Sequence, residues 1–259
     1  MPDRPAPQVC LGLGGGRPEQ MVGARLLRIL SRLEAGGTRP GPARLCEVCA
    51  EVMVMTGAGI MLMSGDVARG SICSSNRVSA LIEDLQYTLG EGPCVDAYQQ
   101  DEPVCEPDLA DPGEPRWVAF TPRAVEAGAR AVFGFPLRVG AARIGALNLY
   151  RDRPGPLDDD QHADALVLAG VAARAVLGMQ AEAAPGMLGA ELEAGSDFRF
   201  VVHQASGMVS AQLEVSVGEA LIRLRAYAFA HDRPLGAVAQ DVVARRLRLS
   251  HDPAPGQEQ

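Results

Sequence analysis

The chain has no lysine: all 24 of its Lys/Arg positions are arginine. That absence removes whole reaction classes. A P-loop needs a lysine on the nucleotide phosphates, and Schiff-base and pyridoxal-phosphate chemistry needs a lysine amine. Histidine is scarce as well, with four in 259 residues, and His162 alone precedes residue 200, in a stretch that reads as helix. A histidine-ligated haem is therefore not expected. No Ser-His-Asp or Cys-His set has supporting local context, so no catalytic centre is legible and an enzyme is not expected. Long apolar runs are also missing. The charge-free stretch Val52 to Gly65 is too short to span a bilayer. The first residues hold Asp3, Arg4 and proline, without the apolar run of a secretory signal. The expectation is a cytoplasmic protein with reduced thiols.

Six cysteines are present, at 10, 46, 49, 73, 94 and 105. Cys46 and Cys49 form a lone C-x-x-C with no second pair at zinc spacing. They fall in an amphipathic helical pattern, where i and i+3 face one way, and read as buried thiols. Asp158-Asp159-Asp160 has no companion ligands nearby and reads as a helix N-terminus, where carboxylates complement the dipole. No metal site is expected, and no cofactor is identified. Gly12, Gly14, Gly15 and Gly16 follow no strand and precede no GK[ST], so they carry no nucleotide signal.

The net charge is −8, but it is unevenly distributed. Between Ser196 and Ser250 seven arginines face five carboxylates, a net of +2, which leaves −10 for the rest. A weakly basic end on an acidic body permits RNA binding without requiring it. The length suits two domains. Residues 1–42 read as a disordered N-terminus with one short helix over 19–35 (Leu26, Leu27, Leu30, Leu33), followed by the Gly/Pro breaker at 36–42. Residues 43–182 form the larger domain, 183–196 a linker, 197–250 a small helical domain, and 251–259 a disordered tail.

Within 43–182 the pattern predicts helix at Ala43–Met55, strands at Gly59–Ser64 and Gly70–Ser75, and helix at Ser79–Leu89. A short helix follows the Gly90–Cys94 turn. Next come a strand at Pro103–Glu106, a helix at Trp117–Ala127, a hairpin of Ala131–Val139 with Arg143–Tyr150, and a closing helix at Asp158–Gln180 striped by Leu166, Ala169, Ala173, Val176 and Gln180. This order implies an α+β fold with a central antiparallel sheet covered by helices. The C-terminal stretch predicts three short helices. The first, Phe198–Gln212, carries Val201, Ala205, Met208 and Gln212. The second opens at a Ser216/Glu219 capping box and carries Val217, Leu221, Leu224 and Ala228. The third follows Pro234 and carries Leu235, Val238, Val242 and then Leu249.

The Gly90-Glu91-Gly92-Pro93-Cys94 turn, with Phe135-Pro136-Leu137 and Ile144-Gly145-Ala146-Leu147-Asn148-Leu149-Tyr150, resembles a GAF domain, a small-molecule and redox sensing module. The resemblance implies a pocket between sheet and covering helices, with Cys73, Cys94, Asp96, Trp117 and Phe133 as candidate lining residues and a small-molecule or redox signal as ligand.

In the C-terminal stretch, Ala205-Ser206-Gly207-Met208, Glu219-Ala220, Leu224-Arg225, Ala228, Leu235, Ala239 and Val242-Val243 resemble the ANTAR domain of transcription antitermination regulators. One departure is Ser206, where many members carry a basic residue. The resemblance implies binding to paired stem-loops in a leader transcript, prevention of terminator formation, and a homodimer as the working form. Gln204, Ser206, Arg225 and Tyr227 are the candidate base contacts, with Arg245 and Arg246 for phosphates. On a helical wheel, Ile222 and Phe229 form a second apolar seam suited to a partner helix. Two alternatives follow: a helical module that binds protein rather than RNA, and a redox or ligand sensor working through Cys73 or Cys94.

Overall fold

A computed structural model describes residues 18–35, 41–64, 67–113, 116–182, 197–231 and 233–250. The expected disordered ends, the linker at 183–196 and the β-turn at Gly65-Asp66 lie outside them. The chain divides into two compact units, Met1–Ala184 and Pro185–Gln259.

The first unit opens with α1 (Pro18–Glu34) and α2 (Pro42–Met53). Strands β1 (Gly57–Ser64) and β2 (Val67–Ser74) follow, then α3 (Arg77–Leu89) and α4 (Pro93–Gln100). After β3 (Val104–Glu106) and α5 (Phe120–Glu126), the hairpin β4 (Ala131–Val139) and β5 (Ala142–Arg151) leads into α6 (Asp159–Glu182). The five strands make one sheet in the order β2-β1-β5-β4-β3, antiparallel throughout.

Alternation along the strands sends side chains to two faces. Phe133, Phe135, Leu137, Leu147 and Leu149 point into one core with Ile29 and Leu33 of α1, Leu45 and Val48 of α2, and Leu168, Ala172 and Val176 of α6. Val132 and Tyr150 point the other way, joining Ile82 of α3, Ala97 of α4, and Phe120 and Ala124 of α5. The unit is a sheet between two helical layers, as its element order implies.

Local chemistry explains the boundaries. Asn76 caps α3 by accepting from Ser79 N–H (2.9 Å), and Ser79 Oγ accepts in turn from Asn76 N–H (2.9 Å). Gly90 ends α3 in the left-handed conformation (φ 70°), where glycine has no Cβ penalty. Asp158 Oδ1 accepts from Gln161 N–H (2.7 Å) at the start of α6, the role its acidic run suggests. Arg25 of α1 is bidentate to α6, reaching Asp164 and Asp160 at 2.6 Å each.

Among the described residues one helical stretch, Asp159–Met179, is long and apolar enough to cross a membrane. Here it is a core helix, with Ala165, Leu168, Ala169, Ala172, Ala173 and Val176 buried. Of the expected stripe, Ala169, Ala173 and Val176 are buried and Leu166 is exposed.

The expectation of reduced thiols needs a larger correction. Cys46 on α2 is disulfide-bonded to Cys73 on β2, 27 residues away, with Cα atoms 6.0 Å apart. Cys105 is disulfide-bonded too. The C-x-x-C spacing draws attention to Cys49, which is a free, buried thiol. The true partner of Cys46 is brought to it by packing between elements, which no local spacing records.

The second unit has α7 (Asp197–Leu213), α8 (Val217–Ala230) and α9 (Leu235–Val243). Its core is Val202, Ala205, Val209 and Leu213 from α7, Ala220, Leu221, Leu224 and Ala228 from α8, and Leu235, Val238, Ala239 and Val242 from α9. The α7 stripe is thus displaced from the expected Val201/Met208/Gln212 positions, which are half-buried, and Val217 is exposed. Ser216 caps α8 by accepting from Glu219 N–H (3.1 Å). The Glu219 carboxylate turns outward to Arg223 (2.8 Å).

Glycines carry the tightest approaches in the first unit. A Cβ at Gly134 would overlap the Pro93 carbonyl and one at Gly145 the Met61 carbonyl, both backbone atoms. We expect Gly134→Ala to destabilise the protein by about 2–3 kcal/mol in urea unfolding. Gly178→Ala on α6, where a Cβ meets nothing within 4 Å, should be neutral or stabilising by up to about 1 kcal/mol.

Candidate functional site

One row of residues runs across the sheet beneath α3 and α4. The pairings Gly59↔Asn148 and Gly134↔Asn148 place a glycine on each side of Asn148. A Cβ at Gly59 would lie 2.7 Å from the Glu83 carboxylate, so α3 comes down on that glycine. The Pro93 carbonyl at the start of α4 comes down on Gly134. Asn148 sits between the two helices, fully buried. Its amide oxygen and nitrogen have no hydrogen-bond partner among the described residues, and neither does Gln86 Nε2.

Around this row the interior is polar. Glu83, Gln86 and Tyr87 of α3 are 1% exposed or less. Gln86 Oε1 accepts from Cys94 N–H at 2.7 Å, which ties α3 to the first turn of α4. Gly92 (φ 132°) lies against the Gln86 side chain, an approach and a backbone conformation that exclude other residues. Cys94 is fully buried and free. Burial, then the neighbouring Glu83 carboxylate, push its thiol well above the usual range, against a smaller opposing effect of Gln86. This is the reverse of an activated nucleophile, which needs an electropositive, accessible setting.

The rim of this region is a charged latch. Asp96 Oδ2 accepts from Trp117 Nε1 (3.0 Å) and Arg116 Nη2 (3.1 Å), and the Arg116 guanidinium stacks over the indole at 4.5 Å. Glu91 Oε1 accepts from the backbone N–H groups of Ala119 (2.7 Å) and Phe120 (2.8 Å), capping the approach to α5. Trp117 adopts a left-handed backbone (φ 52°) and packs edge-on against Phe120 at 5.9 Å.

Of the five expected lining residues, the structure brings together Cys94, Asp96 and Trp117. Cys73 and Phe133 belong to the opposite core, against α2 and α6, and Cys73 is consumed in the disulfide. Strand parity separates them: Phe133 is one residue from Val132 and Gly134, which face α3 to α5. The residues that residue-type reasoning missed are Glu83, Gln86, Glu91 and Asn148. Charged and amide side chains on a helix face read as solvated, and only the register of β5 between two glycine-bearing strands reveals Asn148 as central. A separate surface recess of about 560 Å³ lies at the C-terminal end of α2 beside Met55, Thr56 and Arg151, and none of the residues of this interior lines it.

In the second unit the candidate contacts divide. Gln204 is exposed, Arg225 and Tyr227 are half-buried, and Arg245 and Arg246 are exposed. Ser206 is buried, and its hydroxyl donates to Val202 O at 2.8 Å within α7. It therefore faces the bundle rather than a ligand. Arg246 pairs with Asp241 at 2.8 Å, and Arg233 pairs with the same carboxylate at 2.5 Å. Those arginines hold the Asp241 carboxyl below its ordinary value. Tyr227 stacks on His231 with ring centroids 3.9 Å apart. Ile222 and Phe229 are exposed at 61% and 60%, as a seam facing away from the core.

The family model of the GAF domain matches residues 43–177. Among solved structures, the chain is similar to the GAF domain of a phosphoenolpyruvate-protein phosphotransferase from Coxiella burnetii, at 14% identity and TM-score 0.48, covering 61% of this chain and 96% of that one. A GAF domain of the corresponding Acinetobacter protein is 14% identical, covering 62% and 96%, with TM-score 0.45. A type II free methionine-R-sulfoxide reductase from Thermoplasma acidophilum is 17% identical, covering 59% and 94%, with TM-score 0.42. No curated protein matches the chain.

Burial makes two thiols hard to ionise: Cys94, and Cys49, which is pushed up to about 12. Because the folded values exceed the unfolded value of about 8.5, the folded state loses stability as pH rises above it. Iodoacetamide at pH 8 should leave both thiols unmodified in the native protein and label both in urea, as read by peptide mass. Native labelling of Cys94 would contradict the burial.

Proposed function

The chain belongs to the GAF domain family, and from that premise we propose a signal-responsive, RNA-binding regulator of transcription termination. In this reading the first unit senses a small molecule or redox state. The second unit binds adjacent stem-loops of a leader transcript and keeps a terminator from forming. The working form is a homodimer in the cytoplasm, and no reaction is catalysed.

The observation that carries the RNA reading is the construction of the second unit. Its helix contacts include small buried residues, Ala205, Ala220, Ala228 and Ala239. These allow close approach and fall at positions that resemble the ANTAR pattern. Its basic groups stay near the outside: Arg245 and Arg246 are exposed and Arg225 is half-buried. RNA loops are read by splayed bases against such side chains, and phosphates by arginine. Ser206 is withdrawn from the contact set because it is buried.

A second reading rests on the exposure of Ile222 and Phe229. Large apolar side chains opposite the core suit a protein partner, and in that case the sensor acts through protein binding without RNA.

Purified full-length protein should bind an RNA with two adjacent hairpin loops and discriminate against a loop-scrambled control. Arg225→Ala should weaken binding by roughly 1–3 kcal/mol, and Arg245→Ala should lower the salt slope by about 1. Light scattering on the same sample should give the mass of a dimer. Equal, salt-steep binding to both RNAs would mean charge attraction alone. No binding at low salt would leave the protein-partner reading.

A further inference from the structure

The disulfide joins two elements that the rest of the fold holds unequally. β2 is an edge strand, paired only with β1, and that ladder is broken by register shifts after Ile60 and after Leu62. By contrast, β1 and β5 pair without a shift over Gly57–Leu62. On the other side of the bond, α2 packs against β1, β2, α1 and α6. Cys46 is fully buried and Cys73 is 8% exposed, within an apolar cluster that also holds the free thiol of Cys49 one helical turn along α2.

We propose that the Cys46–Cys73 bond is a redox clasp, opened by a dithiol reductant to release β2 from α2. A thiolate of the reductant attacks Sγ of Cys73, the less buried of the two cysteines. The S–S bond breaks, and Cys46 leaves as a thiolate that takes up a proton. The second reductant thiol then attacks its own sulfur in the mixed disulfide, and Cys73 leaves and is protonated. Two electrons and two protons pass to the protein, and the reductant departs as a disulfide. A disulfide oxidant reverses both exchanges. Neither cysteine is open to attack while β2 is docked, so reaction follows fraying of this irregular edge strand. Once reduced, α2 and β2 lose their covalent tie, and α2 transmits the change to α6, against which it packs. This specifies a redox input for the sensor and does not depend on RNA binding.

The test is hydrogen–deuterium exchange of the full-length protein, oxidised and after dithiothreitol, with the Cys46→Ser/Cys73→Ser double variant alongside. Reduction should speed exchange of amides in 67–74 and 42–53 by about tenfold, with β4 and β5 unchanged. The double variant should exchange at the faster rate with or without reductant. Equal exchange in the two redox states overturns the proposal. So does a double variant that still responds to dithiothreitol, which would assign the response to the Cys105 disulfide. If the double variant does not fold, Cys105→Ser replaces it: exchange in 67–74 and 42–53 should still quicken on reduction, and loss of that response overturns the clasp. Non-reducing peptide mapping completes it: Cys46 and Cys73 alkylated without reductant, and not joined by oxidised glutathione, would also overturn the clasp.

Discussion

The first unit depends on how closely two helices approach the middle of one sheet. Gly59 and Gly134 flank Asn148 across three neighbouring strands, and each lacks the Cβ that would hold a helix away. Glu83 of α3 occupies one gap and the Pro93 carbonyl of α4 the other. With both helices down, the crevice expected between sheet and helices is occupied by the chain's own groups: Glu83, Gln86, Cys94 and Asn148. Unpartnered buried amides are costly, about 1–3 kcal/mol each, so Asn148 and Gln86 Nε2 are the places where this interior stands furthest from a satisfied apolar core. A sensor that responds to a polar ligand would gain most by contacting those atoms.

The opposite face follows another rule. It is apolar, and it is fastened at two points that tie sequence-distant elements together: the Arg25 pairs between α1 and α6 and the disulfide between α2 and β2. The first is partly exposed and adds little stability in water. The second is covalent and constrains the unfolded chain across the segment it closes. The two faces therefore divide the work: one combines an apolar cluster with a buried polar row closed by glycine contacts, and the other is apolar and stapled.

Much of this architecture is legible in residue patterning. Most strand and helix segments fall within a few residues of their expected bounds because the periodicities are clear and the signals at Gly90, Ser216 and Pro234 are chemically explicit; the last helix ends at Val243, short of the expected Leu249. Which side of a helix faces inward was less legible. Val201 and Met208 are apolar and correctly spaced, yet Val202 and Val209 beside them are the buried ones, since neighbouring apolar residues make two stripes almost equivalent, and on α6 only Leu166 of the expected apolar positions turns outward. Across-sheet relations were illegible. Strand parity put Phe133 on the wrong face, Cys73 found its partner through packing, and Asn148 gains its position only from register. Ser206 looked like an exposed polar contact, but Ser can satisfy its hydroxyl on the preceding turn and be buried.

In the proposed function, sensing by the first unit and RNA binding by the second would meet in one outcome, the fate of a transcript. The most direct measurement is single-round transcription in vitro from a template whose leader carries two adjacent hairpin loops overlapping an intrinsic terminator. The account predicts that the full-length protein raises read-through, and that scrambling either loop abolishes the effect. Unchanged read-through at protein concentrations that saturate the RNA would contradict it, leaving a GAF-family sensor whose output is something other than termination.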